Sequence, residues 1–190
     1  MRDQCTPHTP KLNSYCHVSL QDQYAGTDIV VIPISSGNYA IIDSEDFDTV
    51  SQYSWHETQH PRQTNYAYAK VRVREKRTSL NMHRVILDAP KGVIVDHINR
   101  NGLDNRRSNL RYCTRSQNLQ NMGKNRVNKS GFKGVSRCIK TGRWIAKIGA
   151  NNLQIWVGRF DTPEEAAAAY DAAAIKHHGE FAVLNFPEEG

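Results

Sequence analysis

The first apolar run in the chain is Ile29, Val30, Val31 and Ile32, with Ile34 just past Pro33. Ser35-Ser36-Gly37-Asn38 breaks it and Tyr39 to Ile42 resumes it, which predicts a hairpin with Pro33 at an edge position. Asp43 to Tyr53 reads as a short helix. Tyr66 to Arg74 and Thr78 to Leu87 form a second strand pair, since Tyr66, Tyr68, then Val71 and Val73 alternate as a half-buried sheet does. Val93-Ile94-Val95 is a short β-branched run ending at Asp96-His97. A polar loop rich in Asn, Arg and Gly follows from Asn99 to Asn109, and Leu110 to Cys113 predicts its return strand.

Thr114-Arg115-Ser116-Gln117 matches a capping box, a hydroxyl cap with Gln three positions on, so a helix is expected to start near Arg115. Gly123 to Gly131 lacks apolar periodicity and reads as a linker, ordered only against a partner. Three further strands are expected at Gly134 to Arg137, Trp144 to Ile148 and Gln154 to Arg159, with turns at Thr141-Gly142 and Asn151-Asn152. A helix then opens at Thr162, where Thr caps, Pro163 suits the first position, and Glu164 and Glu165 complement the positive helix end. Ala166, Ala169, Tyr170, Ala173 and Ala174 give it one small-residue face for packing on a sheet, and Gly179 ends it.

The fold class read from this pattern is α+β. It divides as a flexible polar arm (1–28), a β-rich segment leading into a compact core (29–122), a basic linker (123–130) and a three-stranded antiparallel sheet packed on one helix (131–190). With 190 residues and 38% hydrophobic content the chain can bury a core without staples. No stretch approaches the ~20 apolar residues of a membrane-spanning helix, and no secretory or transit signal is readable, so a cytoplasmic address is expected. Cys5, Cys16, Cys113 and Cys138 lack the paired spacing of a zinc site and are read as free thiols; Cys5 and Cys16 with His8 and His17 form the one alternative metal set.

The net charge of +6 is unevenly laid out. Residues 1–60 hold two basic residues against eight acids, whereas thirteen basic residues face one acid, Asp104, between His97 and Ile148. A block so lopsided is the footprint of a polyanion binder, because neutralised phosphates release counterions.

The strand, Asn-rich loop, strand and capped helix around Asp96, His97, Asn109 and Asn118 would converge a carboxylate, an imidazole and two amides. Phosphodiester hydrolysis asks for such a set: a divalent cation to neutralise phosphate oxygens and a neutral His to take a proton from water. At this point Met82-His83-Arg84, Val95-Asp96-His97-Ile98-Asn99-Arg100-Asn101-Gly102, Asn105-Arg106, Asn109-Leu110 and Asn118 resemble the HNH endonuclease family, in particular its homing branch in phages and mobile introns, with a ββα-metal core. The resemblance implies His97 as general base, Asp96 and Asn118 as metal ligands, and Asn109 as the central Asn that ties the loop to the site. It implies Mg²⁺ or Mn²⁺, since the ligand oxygens are hard. Asn118 stands where many relatives carry His, so weak metal binding is expected. His83 is either a core histidine beside Val85-Ile86-Leu87 or a second layer behind the site.

Phe132-Lys133-Gly134-Val135, Gly142 to Ile148, Trp156 to Thr162, Glu164 to Ala167, Ala169-Tyr170-Asp171 and Leu184-Asn185-Phe186-Pro187 resemble the APETALA/ethylene-response-factor DNA-binding domain. That family lays its sheet in the major groove. By resemblance Lys133, Arg137, Arg143, Lys147, Gln154 and Trp156 contact double-stranded DNA and Arg159 a phosphate, with Trp144 either contact or core. The expected function is a metal-dependent, site-preferring DNA endonuclease targeted by its C-terminal domain. The alternatives are a DNA-binding regulator with an inactive nuclease core, a structural zinc module, or a nuclease acting on RNA. Target sequence, nick or double cut, and oligomeric state stay open.

Overall fold

A computed structural model describes residues 26–59, 64–125, 127–151 and 153–187. The arm up to residue 25, with Cys5, Cys16, His8 and His17, lies outside the described residues. The fold is α+β, in two compact units, Met1–Tyr112 and Cys113–Gly190.

In the first unit β1 (Ile29–Pro33) pairs antiparallel with β2 (Tyr39–Asp43), from Ile29 opposite Asp43 to Pro33 opposite Tyr39. The turn closes where the Ile34 amide donates to the Asn38 carbonyl at 2.9 Å. A 3₁₀ turn (Ser44–Asp46) runs into α1 (Phe47–Val50), so the helix expected over Asp43 to Tyr53 is shorter and split. A three-stranded sheet follows in the order β3 (Trp55–Glu57), β4 (Ala67–Val73), β5 (Lys76–Asn81). The pattern gave no sign of β3; three residues are too few to show a period. Its Trp55 is buried opposite Ala69, with the indole N–H donating to the Val50 carbonyl at 2.9 Å.

The strand expected to run to Leu87 stops at Asn81, and α2 (Met82–Ile86) takes over. Met82, His83 and Ile86 are all buried. Two neighbouring residues facing inward, with a third four positions on, fit a helix and not the alternation of a strand. β6 (Ile94–His97) pairs with β7 (Leu110–Cys113). Ile32, Ile42, Val50, Trp55, Met82, Ile86 and Leu110 form the core, which thus ties the hairpin, the sheet, α2 and β7 together.

The loop between β6 and β7 is stitched to β2. The Ile41 amide donates to the Leu103 carbonyl at 2.8 Å and the Asn105 amide to the Ile41 carbonyl at 2.7 Å. Beyond it a 3₁₀ turn, Arg107–Asn109, is anchored where the Arg107 amide donates to Asp43 Oδ2 at 2.7 Å.

The second unit opens with α3 (Arg115–Gln120), and its expected capping box is formed: Thr114 accepts from the Gln117 amide and the Gln117 side chain accepts from the Thr114 amide. The stretch read as a linker folds back on the sheet at its end. The Asn128 side chain donates to the Phe132 carbonyl at 2.6 Å and Ser130 Oγ donates to the Val135 carbonyl at 2.9 Å. The sheet order is β10 (Leu153–Phe160), β9 (Trp144–Ala150), β8 (Val135–Arg137), all antiparallel. α4 (Pro163–His178) packs on it, capped by Thr162 and Glu165 as expected and ended by Gly179. Ala166, Ala167, Tyr170 and Ala174 meet Val135, Ala146 and Ile148 in the core, and Trp144 lies half-buried against it. Asp171, on the same helix, binds the C-terminal segment: its carboxylate accepts from the Asn185 amide at 2.8 Å and the Phe186 amide at 2.8 Å.

Candidate active site and nucleic-acid interface

β6 ends in Asp96 and His97, and both are buried, 6% and 3% exposed. His97 Nε2 lies 3.3 Å from Asn105 Oδ1. An amide oxygen only accepts, so Nε2 carries the proton and Nδ1 is the basic nitrogen of the neutral ring. Burial pushes the His97 pKa down, against the opposing pull of Asn105 and then of Asp96 and Asp104. A neutral imidazole is therefore the resting form near pH 7.

Two rings flank it. His83, from α2, stands edge-on to His97 with centroids 5.0 Å apart, and Tyr66 contacts both at 5.6 and 5.5 Å. His83 is 7% exposed and its Nδ1 has no hydrogen-bond partner. Burial, then the neighbouring His97 and Arg84, hold its pKa down at about 3. The Tyr66 hydroxyl is pushed up by burial and by the Asp96 charge.

Asn109 clasps the loop. Its Nδ2 donates to Asn99 Oδ1 at 2.9 Å and to the Asp104 carbonyl at 2.7 Å, and its Oδ1 accepts from the Asn99 amide at 2.9 Å. Asp104 accepts from Asn99 Nδ2 at 2.7 Å and from Arg106 Nε and Nη2 at 2.7 and 2.6 Å. Burial raises the Asp104 pKa, but the Arg106 and Asn99 hydrogen bonds outweigh it and hold the carboxyl below the usual range. Asn118 sits half-buried on α3, in the second unit. The structure thus brings together Asp96, His97, His83 and the loop held by Asn109 within the first unit.

Two residues of this centre were not singled out from the sequence. Asn105, wholly buried, fixes the His97 tautomer; one more Asn in an Asn-rich loop gives no signal of its own. Arg111, on β7, places Nε and Nη2 each 3.0 Å from Asp96 Oδ2.

The basic block is partly spent on such pairs. Arg107 meets Asp46 and Glu45 at 2.7 and 2.8 Å, so acids from the acidic N-terminal stretch neutralise arginines counted as free for phosphate. Among the exposed basic residues of the first unit, Lys70, Arg72, Arg74, Lys76 and Arg77 cluster on the β4–β5 ribbon with one acid, Glu75.

Among the described residues no group of three or more His, Cys, Asp or Glu could hold a metal. The donor chemistry that is present is a buried carboxylate that already faces a cation, with neutral amide oxygens. Such a set fits a hard divalent ion that keeps most of its waters, as Mg²⁺ and Mn²⁺ do, and does not fit zinc.

On the sheet of the second unit, Arg137, Arg143, Gln154, Trp156 and Arg159 are exposed and Lys147 half-exposed. Lys147 Nζ and Arg159 Cζ lie 5.9 and 5.8 Å from the Trp156 ring centroid, a stacked cationic surface. Arg143 is paired with Asp161 at 2.7 Å, and Lys133 Nζ donates to the Gln120 carbonyl at 2.6 Å, so these two meet protein partners. Cys113 and Cys138 are half-buried and stand in no disulfide among the described residues. No described helix is long and apolar enough to cross a membrane.

A short strand pair carrying Asp-His beside an Asn-clasped loop, and a three-stranded sheet on a helix, define a nuclease-type site and a DNA-binding sheet. The chain matches the HNH endonuclease family over residues 88–120 and the AP2 domain over residues 130–180. An uncharacterized HNH endonuclease of Acanthamoeba polyphaga mimivirus is 30% identical over 149 residues, 78% of this chain and 75% of the relative. The chain belongs to the HNH endonuclease family and carries an AP2 DNA-binding domain.

The AP2-like ethylene-responsive transcription factor ANT of Arabidopsis thaliana is 53% identical over 57 residues, 29% of this chain and 10% of the factor. A similar factor of Oryza sativa subsp. japonica is 51% identical over 59 residues, 30% of this chain and 9% of that protein. The chain thus spans about a tenth of the length of these plant relatives.

Proposed function

We propose that the protein is a metal-dependent DNA endonuclease of the homing type, which hydrolyses phosphodiester bonds at preferred sites and is delivered to them by its AP2 domain. The observation that carries this reading is the neutral, buried His97 beside the Asp96 carboxylate. His97 is the general base: with Nε2–H donated to Asn105, Nδ1 takes the proton from an attacking water. Asp96, with Asn118 as the second ligand the resemblance implies, would hold Mg²⁺ or Mn²⁺, whose charge would offset that of the phosphate oxygens and the leaving alkoxide. Asn109 is a positioning residue, since its side-chain bonds to Asn99 and to the Asp104 carbonyl close the loop that leaves His97. His83 and Tyr66 form a layer behind the base that excludes water and keeps it neutral.

Lys147, Trp156 and Arg159 are the strongest DNA contacts of the AP2 sheet, followed by Arg137 and Gln154. Arg143 and Lys133 contact phosphate after exchanging their protein partners. The β4–β5 ribbon adds positive charge on the nuclease unit. The mimiviral relative supports a mobile or viral setting, and a cell in which the DNA is reached from the cytoplasm.

The test is supercoiled plasmid treated with the full chain in EDTA and then in Mg²⁺ or Mn²⁺, with the ends of any product sequenced. Metal-restored cutting at recurrent positions supports the reading. Binding without cutting in either metal replaces it with a DNA-binding regulator carrying an inactive core.

A further inference from the structure

Three aspartates around the β6–β7 loop carry arginine partners, and they are not equivalent. Asp104–Arg106 and Asp46–Arg107 use arginines whose side chains are 36% and 45% exposed; the first pair closes within the loop and the second fastens the loop to the Ser44–Asp46 turn. Arg111 is 11% exposed and its partner Asp96 7%, so this pair is shielded from solvent on both sides. It fastens no loop end: Asp96 and Arg111 sit on strands that are already paired to each other.

The formal charges of this pair sum to zero. Asp96 contributes a negative charge and Arg111 a positive one, with Nε and Nη2 each 3.0 Å from Oδ2. A divalent cation arriving alone at Asp96 would leave an excess of two positive charges in a poorly screened place beside a guanidinium. Arriving with a phosphodiester, whose oxygens are negative, it would leave less. Repulsion between like charges grows as screening falls, so the difference matters most in a shielded pair.

We propose that Arg111 is a positioning residue that makes cation loading at Asp96 conditional on DNA. It holds the carboxylate by one oxygen, Oδ2, and its charge opposes a cation until a phosphodiester is present. The site therefore stays balanced between encounters, and an ion is recruited with the substrate rather than before it. This rests on the reading of Asp96 as a metal ligand.

The experiment measures Mn²⁺ binding to the full chain by electron paramagnetic resonance of the free ion, with and without a short duplex, in a His97→Ala background so that the DNA stays intact. Wild-type Arg111, Arg111→Lys, Arg111→Gln and Asp96→Asn are compared, with urea melts reporting whether each folds. Without DNA, R111Q is expected to bind Mn²⁺ at least ~10-fold more tightly than the parent, with a correspondingly smaller gain on adding the duplex. R111K, which keeps the charge, is expected to retain the parent's weak DNA-free binding and its large gain.

A folded R111Q that binds no tighter overturns the proposal, as does an R111K that behaves like R111Q. Arg111→Met, which keeps the aliphatic stem, replaces R111Q if the amide variant does not fold, under the same two criteria. If Asp96→Asn leaves DNA-dependent Mn²⁺ binding intact, the ligand reading of Asp96 fails and the proposal with it, an outcome distinct from a failure at Arg111.

Discussion

His83 should make the first unit acid-sensitive, by an amount that follows from its surroundings. Its pKa is about 3 in the fold against 6.5 for the free side chain, because burial and the neighbouring His97 and Arg84 disfavour the charged ring. For a histidine whose folded pKa is depressed, the unfolded chain binds the proton first. Stability is whole above about pH 6.5 and falls as pH drops from there toward about 3, where the folded state protonates too. Over that window one such group costs about 1.4 kcal/mol per pH unit, or about 2 kcal/mol between pH 7 and pH 5.

The perturbation is His83→Phe. A phenyl ring keeps a planar neighbour for Tyr66 and His97, and Nδ1 has no hydrogen bond to lose. Urea unfolding is followed at buried Trp55 in a chain with Trp144→Phe and Trp156→Phe, at pH 7 and pH 5. The parent should lose about 2 kcal/mol more than His83→Phe on acidification, leaving in the variant the smaller dependence that the depressed His97 contributes. Equal losses in the two chains would refute the reasoning, since they would mean that His83 is not held neutral by the fold.

Three further outcomes are expected. Gly134 has φ +75° and an added Cβ would stand 2.0 Å from Tyr170 Cδ2, so Gly134→Ala should destabilise the second unit by ~3 kcal/mol or more, seen as a lowered Tm; an unchanged Tm contradicts this. At Gly102 a Cβ would meet the Asn65 carbonyl at 2.3 Å and Tyr66 Cδ1 at 2.5 Å, so Gly102→Ala should shift the Tyr66 ring off His83 and His97 and lower cleavage roughly tenfold to a hundredfold, while AP2-domain binding to duplex is kept. Trp156→Ala should weaken duplex affinity by ~1–2 kcal/mol and leave the rate at saturating DNA unchanged, checked by titration against cleavage kinetics.

What the sequence made legible depended on how local each signal is. Thr114 with Gln117 and Thr162 with Glu165 marked both helix starts, because capping is settled within four residues. The Asp96-His97 strand end and the Gly134 to Arg159 sheet were legible for the same reason: β-branched runs and turn residues are near neighbours. α2 was not, since His83 beside Val85 and Ile86 matches a strand as well as a helix until the core decides which residues turn inward. Asn105 and Arg111 were opaque for a different reason. Their partners, His97 and Asp96, lie eight and fifteen residues away, and a composition that counts arginines as free for phosphate cannot show that Arg111 is already engaged. The acidic stretch near Asp46 similarly pairs with Arg107 across 61 residues, so charge segregated along the chain is partly cancelled in space.

The central claim is that His97 acts as the base of a DNA-cutting site, and the most direct measurement compares supercoiled plasmid cleavage in Mn²⁺ by the full chain and by His97→Ala, with duplex binding measured for both. The account predicts that the variant binds DNA as the parent does and cuts it at least ~100-fold more slowly. Equal cutting by the two proteins would contradict it.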